Sequence, residues 1–307
     1  MNLAGHDLLD LESVTAAEIG HILETAETFG EVLRRDVKKV PTLRGKSVVT
    51  LFYENSTRTR SSFEAAGKYM SADVINISGS TSSATKGESL RDTLLTLQAL
   101  TADIVVLRTP HSGACRQAAD WVEIPVVNAG DGMHEHPTQG LLDLLTLKQA
   151  KGTIEGLTVA IVGDVAHSRV ARSNIWGLTR MGARVRLVGP STLLPPDAAR
   201  LPVEIYTDLR AGLDGVDVVN VLRLQLERQS RALFPTVREY SRLFGVTSEA
   251  LKAAKPDVLV LHPGPMNRGL EISSDVADMP RALIERQVTN GVAVRMAVLY
   301  LLLGAEG

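Results

Sequence analysis

The chain has 307 residues, 44% hydrophobic and only 4% aromatic, with 33 basic against 35 acidic side chains and a formal charge of -2; its isoelectric point is near 6.4. That near-balance provides no general positive field for a polyanion or an anionic membrane surface, so nucleic-acid and membrane-surface binding are set aside as its function. Cys115 is the single cysteine, which allows neither an internal disulfide nor a thiolate metal cluster, and the length suits two domains of moderate core.

The stretch Met1–Leu11 carries Asp7 and Asp10 without a basic run, which reads against a secretory signal. Beyond it, runs rich in Val, Ile and Leu alternate with segments of helical spacing, the signature of parallel α/β layers. The first half is expected to form strands at Ser47–Tyr53, Asp73–Ile77, Asp103–Leu107 and Pro125–Asn128, with helices starting near Thr57, Glu88 and Ser112. A helix over Pro137–Gln149, with proline in its first turn and a break at Lys151-Gly152, links the halves. Strands at Thr158–Val162, Arg184–Val188, Val203–Tyr206, Val216–Val221 and Val258–Leu261 follow. Their nearly unbroken apolar runs imply sheets covered on both faces.

A last helix, Arg281–Leu303 after Pro280, is apolar enough to pack back onto the first domain. Its longest apolar stretch, Val292–Leu303, is interrupted by Arg295 and is too short to span a bilayer. The expected fold class is therefore α/β, with two domains that are each a parallel β-sheet flanked by helices. The first comprises 1–136 with 286–307, a linking helix covers 137–150, and the second domain covers 151–285. A soluble, cytoplasmic protein is expected.

Chemistry is expected where strands give way to helices. Glu54-Asn55-Ser56-Thr57-Arg58-Thr59-Arg60 follows a strand and opens a helix. Three hydroxyls and a guanidinium there add donors to the positive end of the helix dipole, a cup suited to a phosphate dianion. A plain N-cap followed by solvated arginines would read similarly, but donors in close succession favour the cup. His136-Pro137-Thr138-Gln139 also opens a helix, and His136 and Gln139 share one side of its first turn. Imidazole can bond a carbonyl or phosphate oxygen, and the Gln139 amide can both donate and accept. His134 reads as an ordinary loop histidine. Arg108 stands at the carboxyl end of a strand, where parallel sheets gather ligands. Lys86, in the polar loop Ser80–Ser89, is a weaker candidate by itself.

Gly163-Asp164-Val165-Ala166-His167-Ser168-Arg169 occupies the place of a dinucleotide fingerprint, but it has one glycine where the fingerprint needs three, so a nicotinamide cofactor is not expected. Arg169, then Arg223 with Gln225, supply a second cationic set suited either to two carboxylates or to surface pairing with residues such as Glu227. His262-Pro263-Gly264-Pro265 ends a strand in a stiff turn whose prolines leave carbonyl oxygens available to an NH2 group; it could equally be a simple chain reversal.

Taken in order, Ser56-Thr57-Arg58-Thr59-Arg60, Lys86-Gly87-Glu88-Ser89, His136-Pro137-Thr138-Gln139 and His262-Pro263-Gly264-Pro265 resemble the transcarbamoylase family, in its aspartate-accepting branch, over nearly the whole chain. The resemblance implies transfer of the carbamoyl group of carbamoyl phosphate to the α-amine of L-aspartate. The products are N-carbamoyl-L-aspartate and phosphate, in the committed step of pyrimidine biosynthesis. It assigns Ser56, Thr57, Arg58, Thr59, Arg108, His136 and Gln139 to carbamoyl phosphate, with Pro263, Gly264 and Pro265 around the carbamoyl NH2. Arg58, Thr59, Lys86, Arg108 and His136 take the catalytic roles, and Lys86, Arg169, Arg223 and Gln225 the aspartate.

Ser82 and Lys86 match a loop that reaches into a neighbouring subunit's site in a homotrimer, and Glu54 and Arg228 match positions that hold a closed domain arrangement. The wording just before Arg169 departs from the lysine- and tyrosine-containing form of the enterobacterial type. Carbamoyl phosphate is already activated, so the resemblance implies no metal, cofactor or covalent intermediate. It leaves open a regulatory chain or a dihydroorotase-like partner. An ornithine carbamoyltransferase is the nearest alternative, but that family carries a cysteine in a His-Cys-Leu-Pro turn where this chain has His262-Pro263-Gly264-Pro265. The alternative from another class is a noncatalytic phosphate-binding scaffold subunit, which would have no need for the full donor set.

Overall fold

The computed structural model describes residues 3–79, 87–224 and 236–304. Its chain contacts divide into two units, Met1–Leu145 with Thr289–Gly307, and Thr146–Val288.

The first unit opens with α1 (Ala16–Leu33), whose start is fixed by a capping box in which Thr15 and Glu18 satisfy each other's backbone N–H groups. Then come β1 (Ser47–Phe52), α2 (Thr57–Tyr69), β2 (Asp73–Ser78), α3 (Leu90–Ala99), β3 (Ile104–Thr109), α4 (Ala114–Trp121) and β4 (Val126–Asp131). The strands form one parallel sheet in the order β2-β1-β3-β4. Its apolar face packs Val49, Leu51, Val105 and Leu107 against Leu94 and Leu97 of α3 and Ala118 of α4. Helix α5 (Pro137–Lys151) runs from the first unit into the second.

The second unit contains β5 (Thr158–Val162), α6 (Arg169–Arg180), β6 (Arg184–Val188), β7 (Glu204–Tyr206), α7 (Leu209–Leu213), β8 (Val218–Val221), α8 (Val237–Phe244), β9 (Leu259–Leu261) and α9 (Ser274–Ala277). Its strands are parallel in the order β7-β6-β5-β8-β9. Val162, Val219, Val221 and Val260 pack with Val246, Ile272 and Val276. The final helix, α10 (Ile284–Leu303), returns to the first unit, where the Tyr300 ring meets Phe29 of α1 edge-on at 5.6 Å. Among the described residues no helix is long and apolar enough to cross a membrane.

The α/β class and the returning helix are as the sequence indicates, with three differences. Burial is complete along β4, β5, β8 and β9 and nearly so along β1 and β3, but it fails in β2, β6 and β7. Strand β2 has only one neighbour and leaves Ile75 50% exposed, because an edge strand lacks flanking cover on one side. The last helix begins at Ile284 rather than Arg281, since Arg281 and Leu283 exchange backbone hydrogen bonds with Val260 of β9. Strand β3 extends to Thr109, which places Arg108 inside the strand instead of beyond its end.

Candidate active site

In the order β2-β1-β3-β4, the chain steps from β1 to β2 on one side and then crosses to β3 on the other, so the crevice between the carboxyl ends of β1 and β3 is the switch point at which parallel α/β sheets gather ligands. The candidate phosphate residues of the first unit emerge at that sheet end. Phe52 of β1 is in register with Arg108 of β3, and Thr109 with Asp131 of β4.

Ser56 caps α2, its Oγ accepting the Thr59 N–H at 3.4 Å. Capping does not exhaust the turn, because the leading N–H groups of a helix have no partner inside it and Ser56 keeps its own hydroxyl proton. Thr57 and Arg58 are exposed and Thr59 is buried. Arg60 lies with its guanidinium 5.9 Å from the centre of the Phe52 ring, which accounts for it apart from any ligand. Arg108 donates from Nη1 to the Ala129 carbonyl at 3.1 Å, and its Nε lies 3.4 Å from a Glu54 carboxylate oxygen. Glu54 is therefore an ion-pair partner of Arg108 within the first unit.

The third group hangs from the end of β4. Asp131, fully buried, accepts hydrogen bonds from Gly113 N–H at 2.8 Å, the Asn128 side-chain NH2 at 2.8 Å and Glu135 N–H at 3.1 Å. His134 Nδ1 lies 3.1 Å from the same carboxylate, consistent with an ordinary loop histidine. Burial alone would raise the Asp131 pKa, but the bonds from His134, Asn128 and Glu135 outweigh it and hold the group below the usual carboxylate range. Glu135 is also buried and accepts the Leu11 N–H at 2.8 Å. This hub locks the loop that delivers His136, which is buried and whose carbonyl accepts the Gln139 N–H at 2.9 Å in the first turn of α5.

In the second unit the corresponding switch point lies between β5 and β8. Arg169, 4% exposed, is the first residue of α6, which Ser168 caps at Ala171 N–H. Arg223 follows β8, and the Leu222 N–H to Val162 carbonyl bond at 2.8 Å ties the two strand ends together. Gly163 has φ +126°, and a Cβ there would come within 3.3 Å of the Leu222 carbonyl. The lone glycine therefore serves the close approach of β5 and β8 and not a pyrophosphate. His167 Nδ1 lies 2.7 Å from the fully buried Asp164 carboxylate.

The turn after β9 is organised by His262, also buried. Its Nδ1 accepts the Gly264 N–H at 2.8 Å, so the ring proton sits on Nε2 and is donated to Glu271 at 3.2 Å. The His262 N–H in turn reaches Gln287 at 3.0 Å. Pro263 and Gly264 are half-buried, Pro265 is exposed, and the Gly264–Pro265 peptide is cis.

The first unit thus brings together Ser56, Thr57, Arg58, Thr59, Arg108, His136 and Gln139 along adjacent strand ends, and the second places Arg169 and Arg223 at its own switch point. Ser82, Lys86, Gln225, Glu227 and Arg228 lie outside the described residues. Sequence reasoning missed the supporting residues Asn128, Asp131, Asp143, Glu271 and Arg295. The first two were signalled by the polar run Asn128-Ala129-Gly130-Asp131 at the end of a buried strand.

Two parallel α/β units, each with cationic side chains at its switch point, define a two-domain α/β protein built to hold anionic small molecules. Residues 6–149 match the carbamoyl-phosphate-binding domain model of the aspartate and ornithine carbamoyltransferases, and residues 155–302 match their Asp/Orn-binding domain model. The chain is 64% identical over 301 residues to the aspartate carbamoyltransferase catalytic subunit of Heliobacterium modesticaldum, covering 98% of this chain and 96% of that one. Its structure is similar to aspartate transcarbamoylase of Trypanosoma cruzi in complex with N-(phosphonacetyl)-L-aspartic acid, at TM-score 0.90 and 32% identity over 98% and 97% of the two chains. It is also similar to ornithine carbamoyltransferase of Pyrococcus furiosus, at TM-score 0.89 and 30% identity over the full length of both. The chain belongs to the aspartate/ornithine carbamoyltransferase family.

Proposed function

We propose that this chain transfers the carbamoyl group of carbamoyl phosphate to the α-amine of L-aspartate, giving N-carbamoyl-L-aspartate and phosphate for pyrimidine synthesis. The fold alone does not choose the acceptor, since aspartate and ornithine enzymes share it. The observation that carries the choice is the 64% identity, along nearly its whole length, to an aspartate carbamoyltransferase catalytic subunit. Two arginines at the second unit's switch point agree with it, because they suit a dicarboxylate better than the cationic side chain of ornithine.

In this reading residues 1–136 with 286–307 bind carbamoyl phosphate, 137–150 link, and 151–285 bind aspartate. Ser56, Thr57, Arg58 and Thr59 hold the phosphate at the α2 N-terminus. Thr59, Arg108 and His136 stabilise the charge that develops on the carbonyl oxygen as the neutral amine attacks the carbamoyl carbon. The new C–N bond forms, the C–O bond to phosphate breaks, and the departing phosphate takes the amine proton. Gln139, with the carbonyls of Pro263, Gly264 and Pro265, faces the carbamoyl NH2. Arg169, Arg223, Gln225 and Lys86 hold the aspartate carboxylates, with Glu54 and Arg228 stabilising closure. The reading includes a homotrimer in which Ser82 and Lys86 enter a neighbour's site, a cytoplasmic location, and room for a regulatory or dihydroorotase-like partner.

The Arg223→Ala variant tests the acceptor assignment. It is expected to raise the aspartate requirement by roughly tenfold or more, because a charge-assisted contact to a carboxylate is lost. Carbamoyl-phosphate affinity, measured separately by calorimetry, should stay near the parent value. Equal weakening of both ligands would count against the division of labour.

A further inference from the structure

A buried charge pair in the first unit stands behind Gln139 and was not visible as a motif. Asp143 lies one helical turn after Gln139 on α5 and is fully buried, and its carboxylate accepts the Gln139 Nε2–H at 3.0 Å. Across from it on α10 is Arg295, 3% exposed. Arg295 donates from Nη1 to Ser62 Oγ at 2.9 Å and stacks 5.1 Å from the centre of the Phe63 ring. Gly291 leaves the necessary room, since a Cβ there would come within 2.6 Å of Nη1. Burial lowers the guanidinium pKa to about 10 while the Asp143 charge opposes that shift, so Arg295 remains a cation at neutral pH. A buried cation demands a counter-charge, and Asp143 supplies it as a carboxylate.

An ionised carboxylate can only accept hydrogen bonds. The Gln139 amide must therefore turn its NH2 toward Asp143, which directs its carbonyl oxygen away from the pair. We infer that Asp143, backed by Arg295, is a positioning residue that fixes the Gln139 amide with its oxygen toward the substrate, so that the site selects phosphates carrying a carbamoyl NH2 over acyl phosphates that lack one. This rests on the proposed placement of Gln139 against carbamoyl phosphate. An amide free to flip could offer either face and would discriminate less, because a buried acceptor rejects a methyl group only if it cannot rotate away.

The test compares binding of carbamoyl phosphate and acetyl phosphate, which has a methyl in place of the NH2, to the parent protein and its variants. Asp143→Asn removes the compelled acceptor. Its preference for carbamoyl over acetyl phosphate is expected to fall by about tenfold or more, with acetyl phosphate affinity changed by no more than about twofold. If the single variant does not fold because Arg295 is left unpaired, Asp143→Asn with Arg295→Met removes the buried cation as well and carries the same expectation. Equal weakening of both phosphates, or an unchanged preference in a folded variant, would overturn the inference. Gln139→Ala separates the two levels. If it keeps the preference, the placement of Gln139 against the carbamoyl group is wrong. If it loses the preference while Asp143→Asn retains it, the positioning role alone fails.

Discussion

Replacing Arg58 with alanine is expected to slow turnover by about a hundredfold or more, because a charge-assisted contact to the leaving phosphate disappears where charge is being transferred. The fold should tolerate the change. Arg58 is exposed at the second position of α2, and the start of that helix is set by the Ser56 cap and by the buried Phe63 and Ala66 on its inner face. Thermal melting near the parent value, with the rate loss seen in saturating substrate, would place the effect on chemistry. Near-normal turnover in the folded variant would remove Arg58 from the proposed phosphate cup.

The second large effect concerns the shared site. If Lys86 acts in a neighbour's site, Arg58→Ala and Lys86→Ala proteins should each be nearly inactive, and mixing them through reversible denaturation should restore activity. Independent assortment around a closed ring reunites unmutated Arg58 and Lys86 at roughly a quarter of the sites. If Lys86 served its own subunit instead, every site in every hybrid would carry one lesion and the mixture would stay inactive. Sedimentation of the mixture, run alongside the assay, reports whether the species that regain activity are trimers.

The parts of this fold that the sequence reveals are those governed by local physics. Buried parallel strands such as β1 and β5 must be apolar on both faces, and each is followed by a helix with a serine cap, Ser56 before α2 and Ser168 before α6, while Pro137 opens α5 after β4. Most of the candidate phosphate residues sit at or next to those starts and are legible for the same reason, whereas Arg108 lies within β3. Residues whose importance comes from distant partners were not. Asp143 and Arg295 are far apart in the chain, and an aspartate or an arginine inside an otherwise apolar helix looks like a solvated break until the other charge is found against it. Glu271 was equally hidden, because only the fold sets its carboxylate on His262 Nε2. Gly163 misleads in the other direction: it stands where a dinucleotide loop would begin, yet its task is to let the Leu222 backbone approach. The apolar pattern predicts helix from Arg281, but Arg281 and Leu283 instead pair with Val260 through backbone bonds that leave no mark on side-chain spacing.

The most direct measurement of the central claim is carbamoyl transfer from carbamoyl phosphate in the presence of L-aspartate, L-ornithine or no acceptor, with the carbamoylated product and phosphate quantified together. The account predicts N-carbamoyl-L-aspartate and phosphate in equal amounts with aspartate, and only background with ornithine or without an acceptor. Citrulline from ornithine in preference to the aspartate product, or no acceptor-dependent phosphate release from folded protein, would contradict it.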